Sequence, residues 1–120
     1  MNRYLRYWLP LFAYCILIFV LSSSSNPFPQ FPGSWNDKLL HIAKYSILGF
    51  LMARSIFSLK LSYSKGLLLI AAIILSVLFG LSDEVYQALI PDRTASVKDV
   101  VADGFGSAIG TLFYWKILLR

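Results

Sequence analysis

The chain has 120 residues, 58% of them hydrophobic and 14% charged, with a net charge of +5. Soluble chains are roughly 45–50% apolar and about 25% charged, and a soluble domain this short has too little interior to hide so much apolar surface. The composition therefore points to lipid as the solvent, and the single Cys15 excludes an intramolecular disulfide and a multi-cysteine metal site.

A spanning helix needs about 20 mostly apolar residues, and four segments are read as such helices. The first covers approximately residues 7–23, "YWLPLFAYCILIFVLSS", with Pro10 tolerated in its first turn. Arg3 and Arg6 ahead of it, with Ser22 to Ser25 behind, also suit a cleaved signal peptide. Three further spans follow, and retaining the first makes an even four. The segment 26–35, "NPFPQFPGSW", holds three prolines and a glycine and is expected to be irregular.

The second helix covers approximately 37–57, the third 66–90 and the fourth 97–119, joined by short polar turns at 58–65 and 91–96. The expectation is an all-α, polytopic membrane protein of four transmembrane helices, forming one domain over 1–120. Basic residues in short loops mark the cytoplasmic side. Arg3, Arg6, Arg54, Lys60, Lys65, Lys116 and Arg120 fall at one set of helix ends, and Lys38, Arg93 and Lys98 at the other. Both termini are thus expected in the cytoplasm. This asymmetry accounts for the basic balance without nucleic acid. The bilayer itself is the expected partner, and an oligomer stays open.

All six acids, Asp37, Asp83, Glu84, Asp92, Asp99 and Asp103, map to the opposite, external ends of helices two to four or to the loops there. Asp37, His41 and Lys44 are spaced i, i+4, i+7 and share one stripe of the second helix. On the third, Glu84 and Gln87 are neighbours at i, i+3, with Gly80 one turn deeper; Asp83, about 100° round from Glu84, is expected to be a surface acid. On the fourth, Ser96, Asp99, Asp103, Gly106 and Gly110 form another stripe. Charges in lipid are costly, so these stripes are expected to face one another inside the bundle. They would enclose a polar pocket of His41, Lys44, Glu84, Gln87, Asp99 and Asp103, capped from the loop by Arg93.

Each residue also has a plainer role. His41 at an interface is commonly just solvated, Lys44 can snorkel to headgroups, and Asp37 and Asp99 suit helix N-termini. Asp92 suits the turn after Pro91. Glu84 and Asp103, about two turns inside their helices, are harder to explain without a partner. Gly106-Ser-Ala-Ile-Gly110 is a GxxxG motif, which permits close helix approach. Carboxylates beside a histidine suit general acid–base work, with His41, Glu84, Asp99 and Asp103 as candidate catalytic groups. Asp37, Lys38, Lys44, Gln87 and Arg93 are candidates for binding, Arg93 by bidentate contact with a phosphate or carboxylate. The same donors suit a hard divalent ion or zinc, although no HExxH or histidine pair is present. No P-loop, dinucleotide fingerprint or GxSxG elbow occurs.

"DKLLHIAKYSILGFL" (37–51) and "DEVYQALIPDRTASVKDVVADGFGSAIG" (83–110) resemble the VanZ-like family of small bacterial membrane proteins. The family pattern opens its second helix with D-K-x-x-H, here Asp37, Lys38 and His41. It continues with D-E-x-x-Q and P-x-R, here Asp83, Glu84, Gln87, Pro91 and Arg93, and with an Asp and a glycine in the last helix, here Asp99 and Gly106. An asparagine common in that helix is Asp103 here, a departure that makes the pocket more acidic. The resemblance covers nearly the whole chain and implies a multi-pass protein of the bacterial plasma membrane. The founding member is associated with resistance to the glycopeptide teicoplanin, while many members lie outside resistance clusters. Three functions stay open. One is an enzyme acting on an envelope lipid or cell-wall precursor, and another is a binder or shield of such a precursor. The third is an assembly protein whose polar stripes are interhelical glue.

Overall fold

A computed structural model describes residues 2–23, 35–89 and 97–119. The side chains of residues 22, 23, 35–38, 118 and 119 are not among those described. Four α-helices follow in chain order: α1 Arg3–Ser23, α2 Trp35–Ser58, α3 Lys65–Ala88 and α4 Val97–Tyr114. A single π-helical stretch, Trp115–Leu119, continues α4. No strand occurs among the described residues.

The helix ends differ from the expected ones for local reasons. α1 begins at Arg3 rather than near residue 7, because an apolar run marks the lipid span and not the full helix. α3 stops at Ala88, short of residue 90. Pro91 disfavours helical backbone at the residue before it, and Leu89 closes the helix by donating its N–H to the Tyr86 and Gln87 carbonyls. At the other end of α3, Ser64 is the N-cap and its hydroxyl accepts from the Leu67 N–H at 3.2 Å. Before that turn, Lys60 takes a positive φ of 52°, ending α2 in the left-handed region.

Three helical segments, Arg3–Leu21, Leu39–Ser58 and Lys65–Ala88, are long and apolar enough to cross a membrane. α4 is not among them, and the reason is its content: Lys98, Asp99 and Asp103 place three charges within its 18 residues. Outward-facing Leu67, Ile70, Ile74, Leu78, Leu81 and Val85 of α3 form an apolar surface that water would not tolerate.

The bundle is built on α2, which touches all three other helices. Its closest neighbour is α4. A Cβ added to Gly110 would fall inside the Ser46 carbonyl, and one added to Gly106 would collide with the Ile42 carbonyl. Gly49 of α2 faces the Ser107 backbone in the same way. Glycine on both helices thus lets the backbones meet, and the GxxxG partner is α2. Thr111 Oγ1 donates across the same seam to the Gly49 carbonyl at 3.3 Å.

α1 lies on the outside, against α2 and α3. Leu11 and Ile18 are its buried residues, joined to a core of Tyr45, Leu48, Met52, Ala53, Ile56, Leu68 and Ala72. Hydrogen bonds fix its position. Tyr14 OH donates to the Lys44 carbonyl at 2.7 Å, and Ser55 Oγ donates to the Tyr7 carbonyl at 2.8 Å. Arg3 reaches the Ser58 carbonyl, and Arg54 donates to the Arg6 carbonyl while its guanidinium stacks 4.5 Å from the Tyr7 ring centroid. Tyr14→Phe deletes one such bond without changing shape. It is expected to lower stability by about 0.5–1.5 kcal/mol, measured as the thermal denaturation of the purified chain in detergent.

Candidate functional site

At one end of the bundle, α2, α3 and α4 bring polar side chains together. The buried positions of α3 are Leu68, Ala72, Ser76, Gly80, Asp83, Glu84 and Gln87, a stripe advancing by four residues that broadens in its last turns. Those of α4 are Asp99, Ala102, Asp103, Gly106, Ser107, Gly110, Thr111 and Tyr114, advancing by three and then one. Both are helical faces turned into the bundle, α3 toward α2 and α4 and α4 toward α2 and α3, apolar or small in the middle and acidic at this end.

His41 joins the helices. Its Nδ1 lies 2.8 Å from Asp103 Oδ1, and its Nε2 lies 3.8 Å from Asp99 Oδ1. With Asp103 ionised, the carboxylate only accepts, so Nδ1–H then donates to it and Nε2 is the nitrogen presented to the rest of the site. Asp103 can reach His41 because the glycine seam lies directly beneath it. Its own backbone carbonyl accepts from Ser107 Oγ at 2.8 Å. On its other side Gly80 leaves room: a Cβ there would stand 3.1 Å from Asp103 Oδ2 and 3.3 Å from the Tyr45 ring.

Exposure is 0% for Asp103, 1% for Asp83, 5% for Glu84, 6% for Asp99 and 8% for His41. Asp83 is therefore a correction to the sequence reading, which placed it on the surface. Its 100° offset from Glu84 is real, but the buried arc of α3 is wide enough at this end to take both residues. Asp83 also lies four residues before Gln87, on the same face, and Gln87 Nε2 donates to its Oδ2 at 3.0 Å. Asp83 Oδ1, Asp103 Oδ2 and the Tyr45 hydroxyl are buried with no hydrogen-bond partner among the described residues.

Tyr45 was missed from the sequence, where it looks like one more aromatic residue in an apolar helix. The available signal was its spacing, four residues after His41 and so on the same face. It is 0% exposed, beside Asp103, with the Lys44 ammonium 5.5 Å from its ring centroid. Lys44 itself is half-buried at the margin of the site.

His41, Glu84, Gln87, Asp99 and Asp103 are thus all buried at this one end. Asp37 and Lys38 lie in the first turn of α2, but their side chains are outside the described ones. Arg93, Asp92 and Ser96 lie outside the described residues. His41, Glu84 and Asp99 each offer one ligand atom within 4.8 Å of the others, so among the described residues these three form a group able to hold a metal ion. Chemically, the arrangement is a histidine oriented by one buried carboxylate and facing others.

No curated protein and no solved structure matches the chain. A family model does match, VanZ/LLP1, over residues 7–120. That span includes every helix face that forms the buried polar end, and the chain belongs to the VanZ/LLP1 family.

Proposed function

We propose that this VanZ-like protein spans the plasma membrane four times with both termini in the cytoplasm, and that its polar end opens outward. There it binds or acts on an envelope lipid or cell-wall precursor. The orientation is supported by the seven basic residues at one set of helix ends against three at the other. α4 crosses despite its charges, because Asp99 and Asp103 face the bundle rather than lipid.

The observation that carries the functional reading is the His41–Asp103 pair at 2.8 Å, buried beside Glu84 and Asp99. In an enzyme, His41 Nε2 and Glu84 exchange protons with the substrate, Asp103 holds the imidazole, and Asp99 stabilises its charged form. Lys44, Gln87 and Arg93, with Asp37 and Lys38 at the rim, hold the polar headgroup. A binder or shield uses the same contacts without the proton transfers. Glue alone explains the site less well. Interhelical hydrogen bonds in membranes contribute only about 0.6 kcal/mol on average, and glue has no use for buried oxygens such as those of Asp83 and Asp103 that lack a hydrogen-bond partner among the described residues.

The test is mass spectrometry of envelope lipids and wall precursors from strains carrying the wild type, an empty vector or Glu84→Gln, at matched membrane levels. The same strains are scored for teicoplanin susceptibility. A species that changes with the wild type and reverts with Glu84→Gln is the expected result and names the substrate. Identical profiles overturn the enzyme reading. Binding of the precursor then decides the rest: a binder loses it with Arg93→Ala, and glue has none to lose.

A further inference from the structure

Four carboxylates, Asp83, Glu84, Asp99 and Asp103, are buried together. The described cationic side chains at this end are His41, the half-buried Lys44 and the exposed Lys98. Such a group does not stay ionised in a low-dielectric setting without more positive charge or shared protons. The acids are also not simply bonded to one another. Asp83 Oδ1 and Asp103 Oδ2 are fully buried and lack hydrogen-bond partners among the described residues.

His41 gives this charge imbalance a direction. Metal-binding histidines commonly donate one ring N–H to a carboxylate, which fixes the tautomer and turns the other nitrogen toward the ion. Asp103 stands in that relation to Nδ1 at 2.8 Å. Nε2 is 3.8 Å from Asp99 Oδ1, too far for a hydrogen bond and close to the separation of two ligands on one ion. Metal bonds of about 2.0–2.2 Å at tetrahedral angles place two ligands roughly 3.3–3.6 Å apart. The three candidate atoms lie within 4.8 Å of one another, so closing on an ion draws them together by no more than about 1.5 Å. Glu84 and Asp99 make further interactions as well, and each carboxylate has a second oxygen to serve them.

We propose that His41 Nε2, Glu84 and Asp99 form a divalent-metal site with Asp103 as the positioning residue behind the histidine. One imidazole and two carboxylates suit zinc or manganese better than calcium or magnesium, which favour all-oxygen sites. Three protein ligands leave a coordination position for water or for an oxygen of the bound headgroup. The proposal deepens the outer-face reading, since it concerns the same residues, but its test uses no lipid or antibiotic and can fail separately.

The full chain, carrying no polyhistidine tag, is purified in detergent, stripped with a chelator and reloaded with Zn²⁺, Mn²⁺, Mg²⁺ or Ca²⁺ in separate samples. Metal retained after gel filtration is measured by mass spectrometry, and the Mn²⁺ sample by pulsed electron paramagnetic resonance. His41 is the only histidine in the chain, so an imidazole ¹⁴N coupling to bound Mn²⁺ identifies it without any variant. The expected result is one Zn²⁺ or Mn²⁺ per chain with that coupling. Retention should be lost in monodisperse Glu84→Gln, and affinity weakened roughly 10–100-fold in Asp103→Asn. No retention at about 1 mM free metal, the weak end of specific affinity, overturns the proposal. So does bound Mn²⁺ without nitrogen coupling, or retention that Glu84→Gln leaves unchanged.

Discussion

Gly110→Leu is expected to remove most of the chain from the membrane fraction, while Gly66→Leu leaves its level unchanged. Both residues are helical, and leucine improves on glycine in a helix interior by about 0.5–1 kcal/mol in propensity. Space decides the sign. A Cβ at Gly66 meets nothing within 4 Å, whereas one at Gly110 overlaps the Ser46 carbonyl, which is backbone and cannot rotate away. Overpacking a tight contact costs about 1–3 kcal/mol and sometimes more. Here it also parts α2 from α4 along the seam that carries Asp103 to His41. The measurement is quantitative immunoblotting of membranes at equal transcript level, with thermal denaturation in detergent. Equal levels for both variants would mean that the seam is not the closest contact in the bundle.

The second large effect concerns the buried pair. His41→Leu is expected to destabilise the protein by at least about 2 kcal/mol, because it leaves Asp103 buried without its partner. Breaking a buried ion pair from one side typically costs 3–5 kcal/mol, while replacing both members by apolar groups is often neutral. Interhelical hydrogen bonds in membranes average only about 0.6 kcal/mol, so a loss of that size would mean an ordinary bond and not a buried charged pair. The double variant His41→Leu with Asp103→Leu should therefore recover most of the lost stability. It should not recover the change in envelope species, since the oriented imidazole is gone. Recovery of both together would mean that the pair serves only to join α2 to α4.

Much of this architecture is legible in the chain because lipid imposes simple rules. The apolar runs of α1 to α3 are unmistakable, and the acids at one end of α2, α3 and α4 follow from reading each helix as a face. His41, Glu84, Gln87, Asp99 and Asp103 are found by that spacing alone. Helix starts are harder, since α1 continues to Arg3 through residues that suit both helix and interface. The identity of neighbours is harder still. GxxxG in α4 announces a close contact but does not say with which helix, and the matching Gly49 on α2 has no motif of its own. Asp83 shows why a single angular offset misleads: how wide an arc is buried depends on the helices packed against it. Tyr45 escaped notice because its hydroxyl is one polar atom on a large apolar side chain, and only its neighbours give that atom meaning.

The attachment of α1 has a consequence for how freely this protein can vary. The side chains that dock it, Tyr14, Ser55, Arg3 and Arg54, all donate to main-chain carbonyls, those of Lys44, Tyr7, Ser58 and Arg6. A carbonyl is the same whatever residue bears it. The acceptor half of these four hydrogen bonds is therefore beyond the reach of point mutation, so Lys44 and Arg6 can be exchanged as acceptors at no cost to them, while Tyr7 also carries the Arg54 stack. The polar part of this docking is a recognition code written on one side only. Asp83 and Asp103, whose partners Gln87 and His41 are side chains, have no such latitude.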